Sequence, residues 1–185
     1  MKDQRKKSGA AYLAPELAEL IESIGDSSTL HLFACECASL ALHYTGSNDP
    51  RLFEAVAVSR RYAKGAASEI ELEQVCKKSE KAARDADEAA FDARDAFEEG
   101  TKELSNYLKA FGVARAAFSA NFCCKKPTYK AAANAAYEAW VALRSEIDGG
   151  GTLGGLVSPN LSENAIAATI GSLFGNALVS LDRSP

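Results

Sequence analysis

Two histidines and two cysteines lie in one stretch of the chain with residue types that can bind a metal. His31 and Cys35 are four residues apart and share a helix face, and Cys37 and His43 follow on the same predicted helix. Imidazole and thiolate are zinc ligands, so a zinc site is chemically possible here. The spacing contains no C-x-x-C pair, however, and free cysteines are among the most frequently buried residues. The sequence therefore favours core cysteines, and we predict neither a metal nor a cofactor.

A second pair of thiols, Cys123 and Cys124, stands next to Lys125 and Lys126. Cationic neighbours lower the pKa of a thiol, which would make these cysteines redox-sensitive. The alternative, which the sequence favours, is that they are incidental residues at a helix end. The chain has five cysteines, an odd number without the regular spacing of a secreted disulfide scaffold. This usage favours a reducing, cytoplasmic location.

Acidic residues recur at four-three spacing along the longest predicted helix. They are Asp85, Glu88, Asp92, Asp95 and Glu99. A second ladder of mostly small residues lies about 200° around the same helix. It consists of Leu72, Cys76, Ser79, Ala83, Ala86, Ala90, Ala93 and Phe97. We predict that the small residues pack against other helices. The usual behaviour of charged faces favours simple solvation of the five carboxylates. If the face has a function, we predict that these carboxylates bind a basic partner.

Sequence motifs of familiar catalytic and nucleotide-binding sites are missing from the chain. It has no P-loop, no G-x-G-x-x-G turn after a strand, no H-E-x-x-H and no nucleophile elbow. Both histidines lie on a helix with apolar residues on nearly every side, where a water-accessible catalytic pair is hard to assemble. We therefore predict no catalytic residues and no enzymatic activity.

The composition is that of an ordinary globular protein. Of the 185 residues, 47% are apolar and 25% are charged, which suits one domain with a substantial core. The net charge of -4 is mild and gives no reason to expect a nucleic-acid partner. The N-terminal residues are basic but lack an uninterrupted apolar run, so we expect no secretory signal.

Proline, glycine and capping residues divide the chain into predicted helices with little room for strands. The first three predicted helices run from Pro15 to Ile24, from Ser27 or Ser28 to Tyr44, and from Pro50 to a stop at Gly65. The next begins at the Ser68–Glu71 capping box and ends at a break at Gly100. The last two run from that break towards Phe122 and from Tyr129 towards Ile147. We thus predict an all-α fold, an antiparallel bundle or stack of about six or seven helices.

The C-terminal region differs from this bundle, which we place in residues 1–148. Five glycines within residues 149–164 predict a linker. Residues 165–181 carry no formal charge and form an apolar helical stripe with a G-x-x-x-G pair. Because this segment is shorter than the roughly 20 residues of a membrane span, we predict that it docks on the body or on a partner rather than crossing a membrane. Self-association through this helix would make a homo-oligomer.

Four segments together carry a family resemblance: ACECASLAL, NDPRLFEAV, YAKGAASEIEL and KAARDADEAAFDARDAF. This succession of a cysteine-bearing helix, a D-P-R helix start, an A-x-G helix end and long alanine repeats resembles an alanine-rich, all-helical family of bacterial immunity proteins of the polymorphic-toxin type. The match covers about residues 30–142. The resemblance implies that the chain neutralises a cognate toxin by binding it, without catalysis. The alternative function is a helical scaffold or self-associating module that uses the C-terminal helix.

Overall fold

The computed structural model describes residues 19, 21–126, 128–148 and 172, and within them the ordered secondary structure is helical. Five helices are described over their full length: α1 (Ser27–Tyr44), α2 (Pro50–Ala63), α3 (Glu69–Glu98), α4 (Leu104–Cys123) and α5 (Tyr129–Asp148). Residues 19 and 21–23 are also helical, and the rest of the helix predicted from Pro15 up to residue 20 lies outside the described residues. The predicted all-α class is confirmed. The predicted linker at 149–164 lies outside the described residues, as does all but one residue of the apolar segment at 165–181. In the described part of the chain, no helix combines the length and apolar character needed to cross a membrane.

Local capping interactions set most of the helix boundaries. Asp49 caps α2 by accepting a hydrogen bond from the backbone N–H of Arg51, and Pro50 occupies the first helical turn. Ser68 and Glu71 form the predicted capping box at the start of α3. One predicted cap was wrong: α1 is capped by the carboxylate of Asp26, not by Ser27 or Ser28. An aspartate placed one residue earlier can accept from two backbone N–H groups, and it leaves Ser27 to begin the helix.

The three long helices α3, α4 and α5 pack side by side in chain order. Phe97 near the end of α3 stacks on Tyr107 near the start of α4, whereas Ser79 near the start of α3 contacts Asn121 near the end of α4. Helices α3 and α4 are therefore antiparallel. Helices α4 and α5 are antiparallel as well: Arg115 contacts Glu138, whereas Ser119, which is later on α4, contacts the backbone of Ala135, which is earlier on α5. Helix α1 packs on α2, α4 and α5, and α2 also packs on α3 and α4.

Alanine dominates the core where these helices meet. Alanines of α4 and α5 such as Ala117, Ala120, Ala136 and Ala139 are fully buried. Small side chains at an interface allow helix axes to approach closely. Phe33 is the one aromatic among the largest fully buried side chains in the described residues. The other core aromatics, including Trp140, are half-buried at its margin.

Candidate functional site

Helix α3 separates small residues from acidic ones, as its sequence pattern predicts. Leu72, Ser79, Ala83 and Ala90 are buried, while Ala86 and Ala93 are half-buried. The small-residue side of the helix is less buried near its C-terminal end, where Phe97 is 38% exposed. The exposed side carries the five predicted site residues, Asp85, Glu88, Asp92, Asp95 and Glu99. We call these five residues the acidic row.

Two members of the acidic row form ion pairs within the protein. Asp85 contacts the guanidinium of Arg51 from α2 at 2.8 Å, and Asp95 contacts that of Arg94 at 3.0 Å. Among the described residues, Glu88, Asp92 and Glu99 have no ion-pair partner. Partial neutralisation therefore limits repulsion along the helix and leaves three exposed carboxylates available to an external cation.

An exposed phenylalanine interrupts the acidic row. Phe91 is 50% exposed, and helical geometry places it beside Glu88 and Asp95 at three- and four-residue spacing. The guanidinium carbon of Arg94 lies 4.9 Å from the centroid of its ring. Sequence reasoning missed Phe91 because it falls outside the small-residue ladder. Its position amid the acidic residues was the signal that could have identified it.

A groove of about 190 Å³ lies beside Phe91, between the second half of α3 and the first half of α4. Its lining residues are Asp87, Ala90, Phe91, Arg94, Tyr107, Phe111 and Arg115. The ring centroids of Tyr107 and Phe111 are 5.9 Å apart, so one wall is largely aromatic. The groove can accept an apolar or aromatic side chain next to the negative charge of the acidic row.

Arg115 lines this groove and forms ion pairs with residues of α3 and α5. Its guanidinium bonds Asp87 of α3 at 2.5 Å and Glu138 of α5 at 3.4 Å, and it lies over the ring of Phe118 at 4.7 Å. Burial raises the pKa of Glu138, and the charge of Arg115 opposes that shift. Arg115 therefore joins three helices and holds the groove wall in place.

The residues considered for zinc do not converge. His31, Cys35 and Cys37 are buried in the core, whereas His43 is exposed and packs edge-on against Tyr44. In the described residues, no group of three or more His, Cys, Asp and Glu side chains has an arrangement suited to a metal ion. Burial raises the pKa of the Cys37 thiol well above its usual value, so this cysteine behaves as an apolar core residue.

Lys125 and Lys126 do not lower the pKa values of Cys123 and Cys124, an effect that the sequence made possible but did not favour. Both thiols are buried. The pKa of Cys123 is raised by its hydrogen bond with Cys35 and by burial, and the pKa of Cys124 is raised by its hydrogen bond with Cys76 and by burial. The positive charge of Lys125 acts instead on Cys76, a half-buried thiol of α3. The sequence offered no signal for the interaction of Lys125 with Cys76, because the two residues lie far apart along the chain.

Comparisons with protein-family models, curated proteins and solved structures find no match for this chain.

Proposed function

We propose that this protein acts without catalysis by binding a basic protein partner through the acidic row, with Phe91 as the apolar anchor. One observation carries this proposal: a half-exposed aromatic ring stands within the acidic row, and three of the five carboxylates of that row lack ion-pair partners in the described residues. Unpaired surface charge sets which partner approaches and how fast, whereas a buried aromatic anchor supplies much of the affinity. The acidic row provides the charge and Phe91 provides the aromatic anchor, and both lie on one face of α3.

The groove beside Phe91 extends this surface. A partner that covers Phe91 also covers the aromatic wall formed by Tyr107 and Phe111. An apolar side chain of the partner can enter the groove while its neighbouring lysines or arginines contact Glu88 and Asp92. The proposed interface thus has an apolar centre with a charged rim, the usual arrangement of protein interfaces.

We further propose that the partner is a toxin, as the resemblance to immunity proteins implies. Toxins that cleave nucleic acids carry basic clefts, because they must bind a polyanion. An acidic helix with a projecting aromatic ring has the charge and shape to occlude such a cleft. A cytoplasmic location agrees with this role and with the five free cysteines.

The test begins with capture of partners from the native host on the immobilised full-length chain, followed by mass spectrometry. Affinities of the purified partner are then measured for the wild type, Phe91→Ala and the double variant Glu88→Lys/Asp92→Lys. Glu73→Lys is the matched control, since Glu73 is an exposed carboxylate on the same helix. We expect each site variant to weaken binding about tenfold or more, corresponding to about 1.4 kcal/mol, and the control to bind as the wild type does.

Two outcomes contradict the proposal. One is full affinity in a charge-reversed variant of Asp85, Glu88, Asp92 and Asp95 whose circular dichroism spectrum remains helical. The other is binding that does not weaken as salt concentration rises, because screening must reduce a contact between an acidic row and a basic partner.

A further inference from the structure

The antiparallel packing of α3 and α4 brings two cysteines together, and their thiol side chains interact. The hydroxyl of Ser79 on α3 donates a hydrogen bond to the backbone carbonyl of Cys76 at 3.0 Å and lies 3.1 Å from the sulfur of Cys124, at the C-terminal end of α4. Cys76 also packs against the small apolar cluster that contains Cys124. The two sulfurs are therefore neighbours in the folded chain, although they are far apart in sequence.

The two cysteines of this pair differ in their exposure to solvent. Cys124 is buried, with its Sγ 3.1 Å from the hydroxyl oxygen of Ser79 and 3.2 Å from the backbone carbonyl of Asn121. Cys76 is half-buried and can be reached from solvent. Cys35, Cys37 and Cys123 are buried as well. A small reagent should therefore reach Cys76 before any of the other four thiols.

The electrostatics of the pair favour the thiolate of Cys76. The interaction with the Cys124 thiol lowers the pKa of Cys76 to about 7. The charge of Lys125 acts in the same direction, and burial, Glu80 and Glu73 act against it. The thiolate is the nucleophilic form of cysteine. At neutral pH, a substantial fraction of Cys76 is thus in its reactive state beside a protonated thiol.

We propose that Cys76 and Cys124 are a redox-active pair that a hydroperoxide converts to an intramolecular disulfide. The thiolate of Cys76 attacks one peroxide oxygen and the O–O bond breaks. With hydrogen peroxide, the departing hydroxide takes a proton and leaves as water, and Cys76 becomes a sulfenic acid. The sulfur of Cys124 then attacks the sulfur of Cys76, the S–O bond breaks, and the Cys124 proton leaves with the hydroxyl group as a second water. Two thiols are oxidised, and one peroxide is reduced.

This proposal is independent of the acidic row and of any partner. The disulfide would join the first half of α3 to the end of α4, and a dithiol reductant would reverse it. Because the cross-link restricts the unfolded chain, the oxidised protein should also melt at a higher temperature than the reduced protein.

The first experiment treats reduced full-length protein with a small excess of hydrogen peroxide, counts the remaining thiols and maps disulfides by peptide mass spectrometry. The expected result is the loss of two thiols per chain, one linked peptide pair containing Cys76 and Cys124, and full recovery with dithiothreitol. Retention of all five thiols overturns the proposal, as does a linkage between other cysteines or between two chains.

Two variants and a labelling profile separate the roles of the two thiols. Cys124→Ala should leave Cys76 as a sulfenic acid that dimedone labels, whereas Cys76→Ser should abolish peroxide reactivity. Cys37→Ser is the control at a buried cysteine and should form the disulfide normally. Iodoacetamide labelling of Cys76 should rise with a midpoint near pH 7 in the wild type and at higher pH in Cys124→Ala, because the interaction with the Cys124 thiol is lost. An unchanged midpoint overturns the proposal.

Discussion

At the scale of single residues, Arg51 is placed where it joins two helices. Its backbone N–H and its guanidinium both bond the carboxylate of Asp49, and its Nη1 atom lies 2.8 Å from the carboxylate of Asp85 on α3. These bonds lower the pKa of Asp49. The D-P-R segment, the most distinctive part of the family resemblance, therefore has a structural role: it caps α2, begins that helix and attaches it to α3.

Buried His31 makes the stability of the protein depend on pH. Burial lowers the pKa of His31 below its usual 6.5, and a polar contact with the backbone of Cys123 only partly opposes this. Neither ring nitrogen has a hydrogen-bond partner of good geometry among the described residues. Well above pH 6.5, His31 is neutral in both the folded and the unfolded state and contributes no pH dependence. As pH falls below 6.5, the unfolded chain takes up the proton first, so the free energy of unfolding should decrease.

Urea unfolding of wild type, His31→Gln and His43→Gln over this pH range tests the effect. We expect the wild type and His43→Gln to lose stability together as the pH is lowered, since both retain the buried imidazole. His31→Gln should lose less over the same interval. Identical pH profiles for all three proteins would show that His31 does not carry the effect.

At the scale of the elements, Gly112 shows how closely α4 approaches its neighbours. A Cβ atom added at this helical position would lie 3.4 Å from the Cβ of Ser145, 3.5 Å from the carbonyl oxygen of Ala142 and 3.6 Å from the Cγ2 of Thr45. These are ordinary van der Waals distances, so the space accommodates one methyl group and no more. The sequence predicted the helix but offered no means of judging this space.

We expect Gly112→Ala to stabilise the protein by about 0.5–1 kcal/mol, because alanine loses less backbone entropy than glycine in a helix. Gly112→Val should destabilise it by about 1–3 kcal/mol, since its two further methyl groups must enter occupied space. Chemical denaturation of both variants measures the two effects. A destabilised alanine variant would mean that α4 and α5 lie too close for the added methyl group.

At the scale of the whole molecule, close packing of alanine faces holds the helices together. The buried residues of α5 include Ala132, Ala136 and Ala139, and those of α4 include Ala117 and Ala120. Such a core has little freedom to rearrange around a larger side chain, because its interior is already filled. Its stability depends on small volume at these positions rather than on large apolar residues.

Replacing Ala139 by leucine should therefore destabilise the protein by about 1–3 kcal/mol through overpacking. Ala89→Leu is the matched control, since Ala89 is an exposed helical alanine on α3 and its replacement should change stability by no more than about 0.5 kcal/mol. Thermal and urea unfolding of the two variants provide the comparison. Equal stability of the two variants would contradict a tightly packed alanine interface.

The sequence by itself determined the helices, because their boundaries depend on local interactions. The Asp49 cap, the Ser68–Glu71 capping box and the breaks at Gly65 and Gly100 each involve residues within a few positions of one another. The periodicity of α3 likewise determined that its small residues turn inward and its acidic row outward, since both properties follow from one helix.

Only the tertiary structure decided which side chains from different helices meet. The contact of Cys76 with Cys124, the effect of Lys125 on Cys76 and the groove between Phe91 and Phe111 all arise where α3 packs on α4. Reactivity and binding shape depend on distances of a few ångströms between residues that are remote along the chain. Helical spacing cannot supply those distances, because it gives the positions of residues around the axis of one helix. It does not determine how a neighbouring helix is aligned along that axis.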